Sequence, residues 1–545
     1  MKAVTVVCIR LLILAALVNA PAHAQNPIPF QHIVLIIQEN RTPDNLFGAG
    51  PPHPVCGIPD PFEPGVDIQN GGPNALYDPP QVTCLQSQRL ATCWDIAHKN
   101  STWNNQAHIV DGVPRMDKAC TNAVYSEAQG CTVPPGCPQY SFVQKSDVQP
   151  YFDIATNYGF ANYMFATNQG PSMPAHQFLL SGTSAPAVPD EPHGWGLDFV
   201  AENGNFGGGG IAGGSGCPAT DNFPSWVDFT AGFLQPQLSS CYDHRTLVDS
   251  LENHDPKITW RYYAPTPDII WTAPNGIRKL CYDPNKSQTG PCNSDYWTEN
   301  MKFESTTDSV PVLTDITNCQ LRQMSWVIPD ERWSDHPGAG FETGAGPSYV
   351  ANIVNAIGNS PCTDMIGNQS YTYWQDTAIF IVWDDWGGWY DHVKPSPIMR
   401  KGDGHSDCEN AGDSWGCGYV YGFRVPLLVV SAYTPAGYVS GALPSPGMQP
   451  DYVHDFGSIL RFTEVNFRLD YIANPNPYYA DYNARDNGQH LGGDGNIPLS
   501  DFFQGSYRNF TNITPAAGFS TSFFTGYFSA HPGEVPIGPD GDDAD

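Results

Sequence analysis

Four short apolar runs stand out from an otherwise loop-rich chain: Ile33 to Ile37 (IVLII), Met324 to Pro329 (MSWVIP), Ala378 to Trp383 (AIFIVW) and Val425 to Val430 (VPLLVV). Each is nearly continuous rather than alternating, the pattern of strands covered on both faces in a largely parallel sheet. Helix-like segments such as Arg245 to Glu252 and Tyr349 to Ile357 lie between them, which favours α/β over an all-β sandwich. The expected fold is therefore α/β, with a central, mostly parallel sheet sandwiched by helices. Gly-, Pro- and Cys-rich stretches at 48–140, 185–240 and 265–315 read as long insertions on that scaffold. The Gly-rich segment at 204–216 lacks the Lys-Ser/Thr of a phosphate-binding loop. The last residues, Asp540 to Asp545, read as a solvated acidic tail.

The first 24 residues carry Lys2 and Arg10, an apolar run from Leu11 to Val18 and the small-residue pattern Ala22-His23-Ala24. This is the pattern of a signal peptide, and it implies a secreted or periplasmic protein. The run is too short to span a bilayer, and no later segment is long and apolar enough to do so. Of 15 cysteines, Cys8 falls in the leader. The remaining even number is consistent with up to seven disulfides in an oxidising compartment. There is no CxxC motif. Cys84/Cys93, Cys131/Cys137, Cys281/Cys292 and Cys408/Cys417 sit in stretches where a bridge would staple a loop, but sequence leaves the connectivity open.

Charge narrows the function. Lys and Arg total 25 against 55 Asp and Glu, a formal charge of −30. Tracking a phosphate backbone needs clustered cations, so nucleic-acid binding is excluded. With 41% apolar and only 15% charged residues, the 545-residue chain is able to bury a sizeable core.

The chemistry collects past the strand ends. Glu39 and Asn40 follow the first strand, and Asp384 and Asp385 follow the third. Open α/β sheets bind ligands outside the carboxyl ends of their strands. Three carboxylates and an amide converging there would repel one another unless a cation lay between them. An all-oxygen set suits one divalent ion, Mg²⁺, Mn²⁺ or Ca²⁺ ahead of Zn²⁺. The plainer alternative is that Glu39 and Asn40 cap a helix starting near Thr42 and Asp384-Asp385 opens a turn.

Ser172, in NQGPSMPAHQFLLSGTS, lies at or near the start of a helix, where amides and dipole favour an oxyanion or a phosphate. By itself it is also a common N-cap. Gly170-Pro171-Ser172-Met173-Pro174 lacks the G-x-S-x-G elbow of α/β-hydrolases. His336, a few residues past the second strand, is the favoured histidine; His98, His108 and His176 are further candidates.

Together, HIVLIIQENRTPDNLFG (32–48), NQGPSMPAHQFLLSGTS (168–184), SWVIPDERWSDHPG (325–338), AIFIVWDDWGGWYDHV (378–393), YGFRVPLLVVSAYTPAGYV (421–439) and the YVHDFGSILRFTEVNF run (452–467) resemble the phosphoesterase family of bacterial phospholipases C and acid phosphatases, within the alkaline phosphatase superfamily. The resemblance implies an alkaline-phosphatase-like sheet and metal-assisted hydrolysis of phosphate esters, phospholipid among the candidate substrates. It assigns Glu39, Asn40, Asp384 and Asp385 to the metal and Ser172 to the nucleophile. His336 matches an active-site histidine, and His98 and His108 align with histidines of the variable insertion. Asp391-His392 reads as support for the metal loop. Many of the family's phospholipases have Thr followed by Pro-Asn-Arg at the nucleophile, whereas Ser172 precedes Pro174-Ala175-His176. This looks more like the acid phosphatase branch. The implied organisation is a leader (1–24), a catalytic domain (25–470) and a C-terminal extension (471–545). Two other readings compete: a serine carboxylester hydrolase using Ser172, and a non-catalytic glycan-binding protein suggested by 14 Trp and 26 Tyr.

Overall fold

All four apolar runs become strands of one eight-stranded sheet. The computed structural model describes residues 30–49, 56, 65–106, 115–126, 130–185, 198–205, 215–218, 223–228, 233–235, 241–338, 343–395, 421–442, 452–472, 479–483 and 497–539. The leader, Cys408/Cys417 and the acidic tail lie outside these residues. The sheet strands are β1 (His32–Gln38), β2 (Gly159–Ala161), β3 (Trp260–Ala264), β4 (Met301–Phe303), β5 (Met324–Val327), β6 (Thr377–Trp383), β7 (Leu427–Ser431) and β8 (Tyr438–Ser440). Their order is β4-β3-β5-β1-β6-β7-β2-β8. Every pairing is parallel except those of β7, which runs against both β6 and β2.

The centre of the sheet decides where the chemistry falls. All seven residues of β1 and all seven of β6 are buried, as their unbroken apolar sequences require. The two strands pair in parallel from His32 opposite Thr377 to Gln38 opposite Trp383. Because both end at the same level, Glu39-Asn40 and Asp384-Asp385 leave the sheet side by side. Four helices matter to the site: α1 (Pro43–Phe47), α2 (Lys145–Asn157), α3 (Ser172–Ser181) and α4 (Gly346–Gly358). Far along the chain, Phe502, Phe503, Ile513 and Phe524 join the same buried cluster as β1, so the described part of the C-terminal stretch packs into the core.

Among the described residues six disulfides link Cys56–Cys84, Cys93–Cys131, Cys120–Cys137, Cys217–Cys241, Cys281–Cys292 and Cys319–Cys362. Cys281–Cys292 is the short staple expected from spacing. Cys84, Cys93, Cys131 and Cys137 instead take more distant partners, because the bridges follow strand pairing. Trp94–Ile96 pairs with Val124–Ser126 and brings the Cys93 and Cys131 segments together.

A buried ion cluster ties the loop after β1 to the loop after β6. Thr42 caps α1 by accepting from the Asn45 amide at 3.2 Å and donates to the Tyr390 carbonyl at 3.0 Å. Arg424 donates from Nε and Nη2 to Asp391 at 3.0 Å each and from Nη2 to Asp44 at 3.2 Å. The His392 ring bridges Asp44 at 2.8 Å and Asp67 at 3.0 Å. Burial alone would depress its pKa, but Asp44 and Asp67 outweigh that and lift it to about 10.

A folded value above the ordinary 6.5 means that this stabilisation is complete below about 6.5 and is lost as pH rises through about 10. His392→Ala is expected to cost about 3 kcal/mol, the scale of a buried pair losing one partner. Urea unfolding of wild type and variant across this range checks it, with the gap shrinking toward the alkaline end.

Candidate functional site

Ser172 is the first residue of α3, with Pro171 at the N-cap and a left-handed Gly182 closing the helix. Its hydroxyl is buried and faces three side-chain oxygens: Glu39 Oε2 at 3.2 Å, Asn40 Oδ1 at 3.5 Å and Asp385 Oδ2 at 3.5 Å. A serine hydroxyl has one proton to donate, so at most one of these contacts is a full hydrogen bond. The loops that carry the oxygens are locked together by backbone. The Asn40 amide donates to Asp384 Oδ1 at 3.0 Å, and the Arg41 amide donates to the Asp385 carbonyl at 3.1 Å. Asn40 itself is left-handed, with φ of 59°. Gly387 (φ +57°) lies so close beneath it that a Cβ there would stand 2.4 Å from the Asn40 carbonyl oxygen.

The electrostatics ask for positive charge. Glu39, Asp384 and Asp385 are all fully buried. Burial first, then Asp384 and Asp385, push the Glu39 carboxyl well above the usual range. Asp384 Oδ2 is buried with no hydrogen-bond partner, and such an orphaned oxygen calls for a cation. Glu39, Asn40, Asp384 and Asp385, with the Ser172 oxygen beside them, therefore fit a hard divalent ion. His176, one helical turn after Ser172, adds its Nε2 at 3.0 Å from Glu39 Oε1 and 4.0 Å from Asp384 Oδ2. Burial lowers its pKa to about 4, so the ring is neutral and donates from Nε2 to Glu39.

His98 is buried beside the same shell. Its Nδ1 donates to the Ile96 carbonyl at 2.8 Å, which leaves Nε2 to accept from Asn40 Nδ2 at 3.2 Å. The bond turns the Asn40 oxygen toward Ser172. His336, also buried, has its ring centroid 6.0 Å from that of His98 and 5.9 Å from Trp271. Its loop is held through Asp335. The Asp335 carbonyl accepts from Arg41 Nε at 2.9 Å and Nη2 at 2.7 Å, and its Oδ2 accepts from Tyr151 at 2.8 Å and Trp383 at 3.0 Å. Burial raises the Asp335 carboxyl to about 6, against the pull of Arg41.

The structure thus brings Glu39, Asn40, Asp384, Asp385, Ser172, His98 and His336 into one region. His108 lies outside the described residues. Asp391-His392 sits in the supporting ion cluster described above. His176, a candidate histidine without an assigned role in the sequence, joins the site, and so does Asp335, which had none. The signal for His176 was its i+4 spacing from Ser172 on a helix; Asp335 offered none beyond adjacency to His336.

Chemical parallels come from sequence comparison. A hemolytic phospholipase C from Pseudomonas aeruginosa is 26% identical over 80% of this chain and 52% of its own length. Phospholipase C B from Mycobacterium tuberculosis is 23% identical over 77% of this chain and 73% of its own. The lipoteichoic acid synthase of Listeria monocytogenes aligns at 10% identity and a TM-score of 0.27, over 72% of this chain and 88% of that one, too loosely to inform the site. The chain spans about half the length of the P. aeruginosa phospholipases it matches, 52% and 55%. The profile described as "Phosphoesterase family" covers residues 30–470. The chain belongs to that family.

Proposed function

We propose that the chain hydrolyses phosphoric esters in the manner of phospholipases C and acid phosphatases, with Ser172 as nucleophile. The observation that carries this reading is the placement of the Ser172 hydroxyl, within 3.5 Å of oxygens from Glu39, Asn40 and Asp385 at the first turn of α3. A serine esterase would place a histidine on that hydroxyl. Its partners here are the oxygens of Glu39, Asn40 and Asp385.

Glu39, Asn40, Asp384 and Asp385 would hold a divalent ion, which would supply Lewis-acid charge favouring the serine alkoxide. The amides opening α3 add partial positive charge on the same side. Ser172 Oγ, its proton passing to the Glu39 carboxylate that it faces at 3.2 Å, attacks phosphorus, the ester P–O bond breaks, and a phosphoseryl intermediate forms that water later hydrolyses. His98 orients Asn40. His336 donates the proton that the departing oxygen needs. His176 fixes Glu39 by hydrogen bonding to Oε1, leaving Oε2 toward Ser172. The leader and the disulfide-bridged loops support export to an oxidising compartment. Phosphatidylcholine and small phosphomonoesters both satisfy this chemistry, and a parallel assay on the two, with metal content measured on the same sample, ranks them.

Ser172→Ala is expected to lower kcat by about a thousandfold or more without changing the far-UV spectrum or melting temperature. Exhaustive chelation is expected to abolish turnover, and adding back a divalent ion to restore it; full activity in the stripped protein would sink the reading. His336→Ala is expected to lose about 10²–10⁴-fold on alkyl phosphates and far less on p-nitrophenyl phosphate, whose leaving group needs no proton. Equal losses on both substrates would remove His336 from the acid's role.

A further inference from the structure

The two central strands carry a second cluster at their other end. His32 opens β1, and Asp376 immediately precedes Thr377, its register partner on β6. At roughly 3.3 Å per residue, seven-residue strands separate this point from the Glu39 and Asp384 loops by about 20 Å. Asp364 reaches in from the hairpin formed by Thr363–Ile366 and Gln369–Thr372. One ligand atom from each of His32, Asp364 and Asp376 lies within 4.8 Å of the others.

The histidine is set for metal binding. Its Nδ1 lies 2.9 Å from the Arg322 carbonyl. A carbonyl only accepts, so Nδ1 carries the proton and Nε2 faces the carboxylates, 2.8 Å from Asp364 Oδ2. This is the backbone-anchored imidazole common among metal-ligating histidines. Asp376 is only 1% exposed, yet neither of its carboxylate oxygens meets a donor from another residue. A second proton on His32 would serve Asp364 alone, because Nε2 has one bond to give, and Asp376 would stay unsatisfied. A cation at the centre satisfies all three.

We propose that His32, Asp364 and Asp376 form a second, structural divalent-metal site that takes zinc. One imidazole nitrogen with two carboxylate oxygens suits Zn²⁺ better than the harder Mg²⁺ or Ca²⁺. The side chain of Asp364 is 36% exposed, which gives the ion an entry path and water a remaining coordination position. The ion pins the start of β1, the hairpin and the turn into β6. It lies beside the Cys319–Cys362 bridge, which anchors the residue preceding that hairpin. Burial pushes the Asp376 carboxyl up to about 7 despite nearby His32, the cost that a bound ion removes.

The test uses the full chain, stripped by chelation, reloaded with zinc chloride and measured by mass spectrometry. Wild type is expected to retain two equivalents, and Asp364→Asn and His32→Gln one each. Asp385→Asn, altered at the active-site end, is also expected to retain one. Zinc is expected to raise the melting temperature of Asp385→Asn, which keeps only the His32 end, and to leave that of the double variant Asp364→Asn/Asp385→Asn unchanged. Asp364→Asn keeps its shape at a partly exposed position, so it reports even if His32→Gln does not fold. Unchanged zinc content in Asp364→Asn overturns the proposal, as does a single wild-type equivalent that Asp385→Asn removes.

Discussion

Two acidic loops leave adjacent parallel strands at the same level, and the protein holds their like charges closer than they would stay unaided. Unit charges 4 Å apart repel by about 4 kcal/mol even at an effective dielectric near 20. Glu39, Asp384 and Asp385 are fully buried, where water screens their charges least. The in-register pairing of β1 with β6 leaves no slack for them to separate. This constraint sets the oxygens where a cation would offset their repulsion, with the Ser172 oxygen beside them.

What keeps the loops from relaxing apart is a ring of buried polar anchors behind them. Arg41 grips the Asp335 carbonyl, while Tyr151 and Trp383 hold its carboxylate. Arg424 joins Asp391 to Asp44, and His392 joins Asp44 to Asp67. The Arg41–Asp335, Tyr151–Asp335 and Arg424–Asp44 bonds span 294, 184 and 380 residues, tertiary fastenings of loops that local propensity does not specify. The division of labour is clean: cations lie one layer behind the carboxylates, where they position backbone, and the front layer is left acidic.

That arrangement explains what could be read in advance. Continuous apolar runs predicted β1, β5, β6 and β7, because burial on both faces leaves a one-dimensional signature. Residues just past two of those runs were legible as candidate ligands, since strand ends are where open sheets bind, and the structure brings them together. The disulfide partners were not, because Cys93 meets Cys131 through a strand pairing that neither flank announces. The roles of His98 and His176 were also hidden. His98 acts by which ring nitrogen the Ile96 carbonyl occupies, and His176 by the helical turn that sets it over Glu39. Such information resides in three-dimensional hydrogen bonding, and spacing carries only a trace of it.

The chain's formal charge of −30 gives a last constraint on substrate capture. Long-range attraction of a phosphate ester is unfavourable over such a surface, and salt screens that repulsion beyond about 10 Å at 0.1 M. Under the proposed function, capture would come from short-range groups: helix amides at Ser172, imidazoles and the ion that the carboxylates would hold. A neutral His176 fits this economy, since it adds a hydrogen bond to Glu39 without cancelling the carboxylate charge that holds the ion. The acidic surface and the acidic site are thus separate facts: in the proposed function the first would govern approach, and the second the cation that would meet a phosphoryl group.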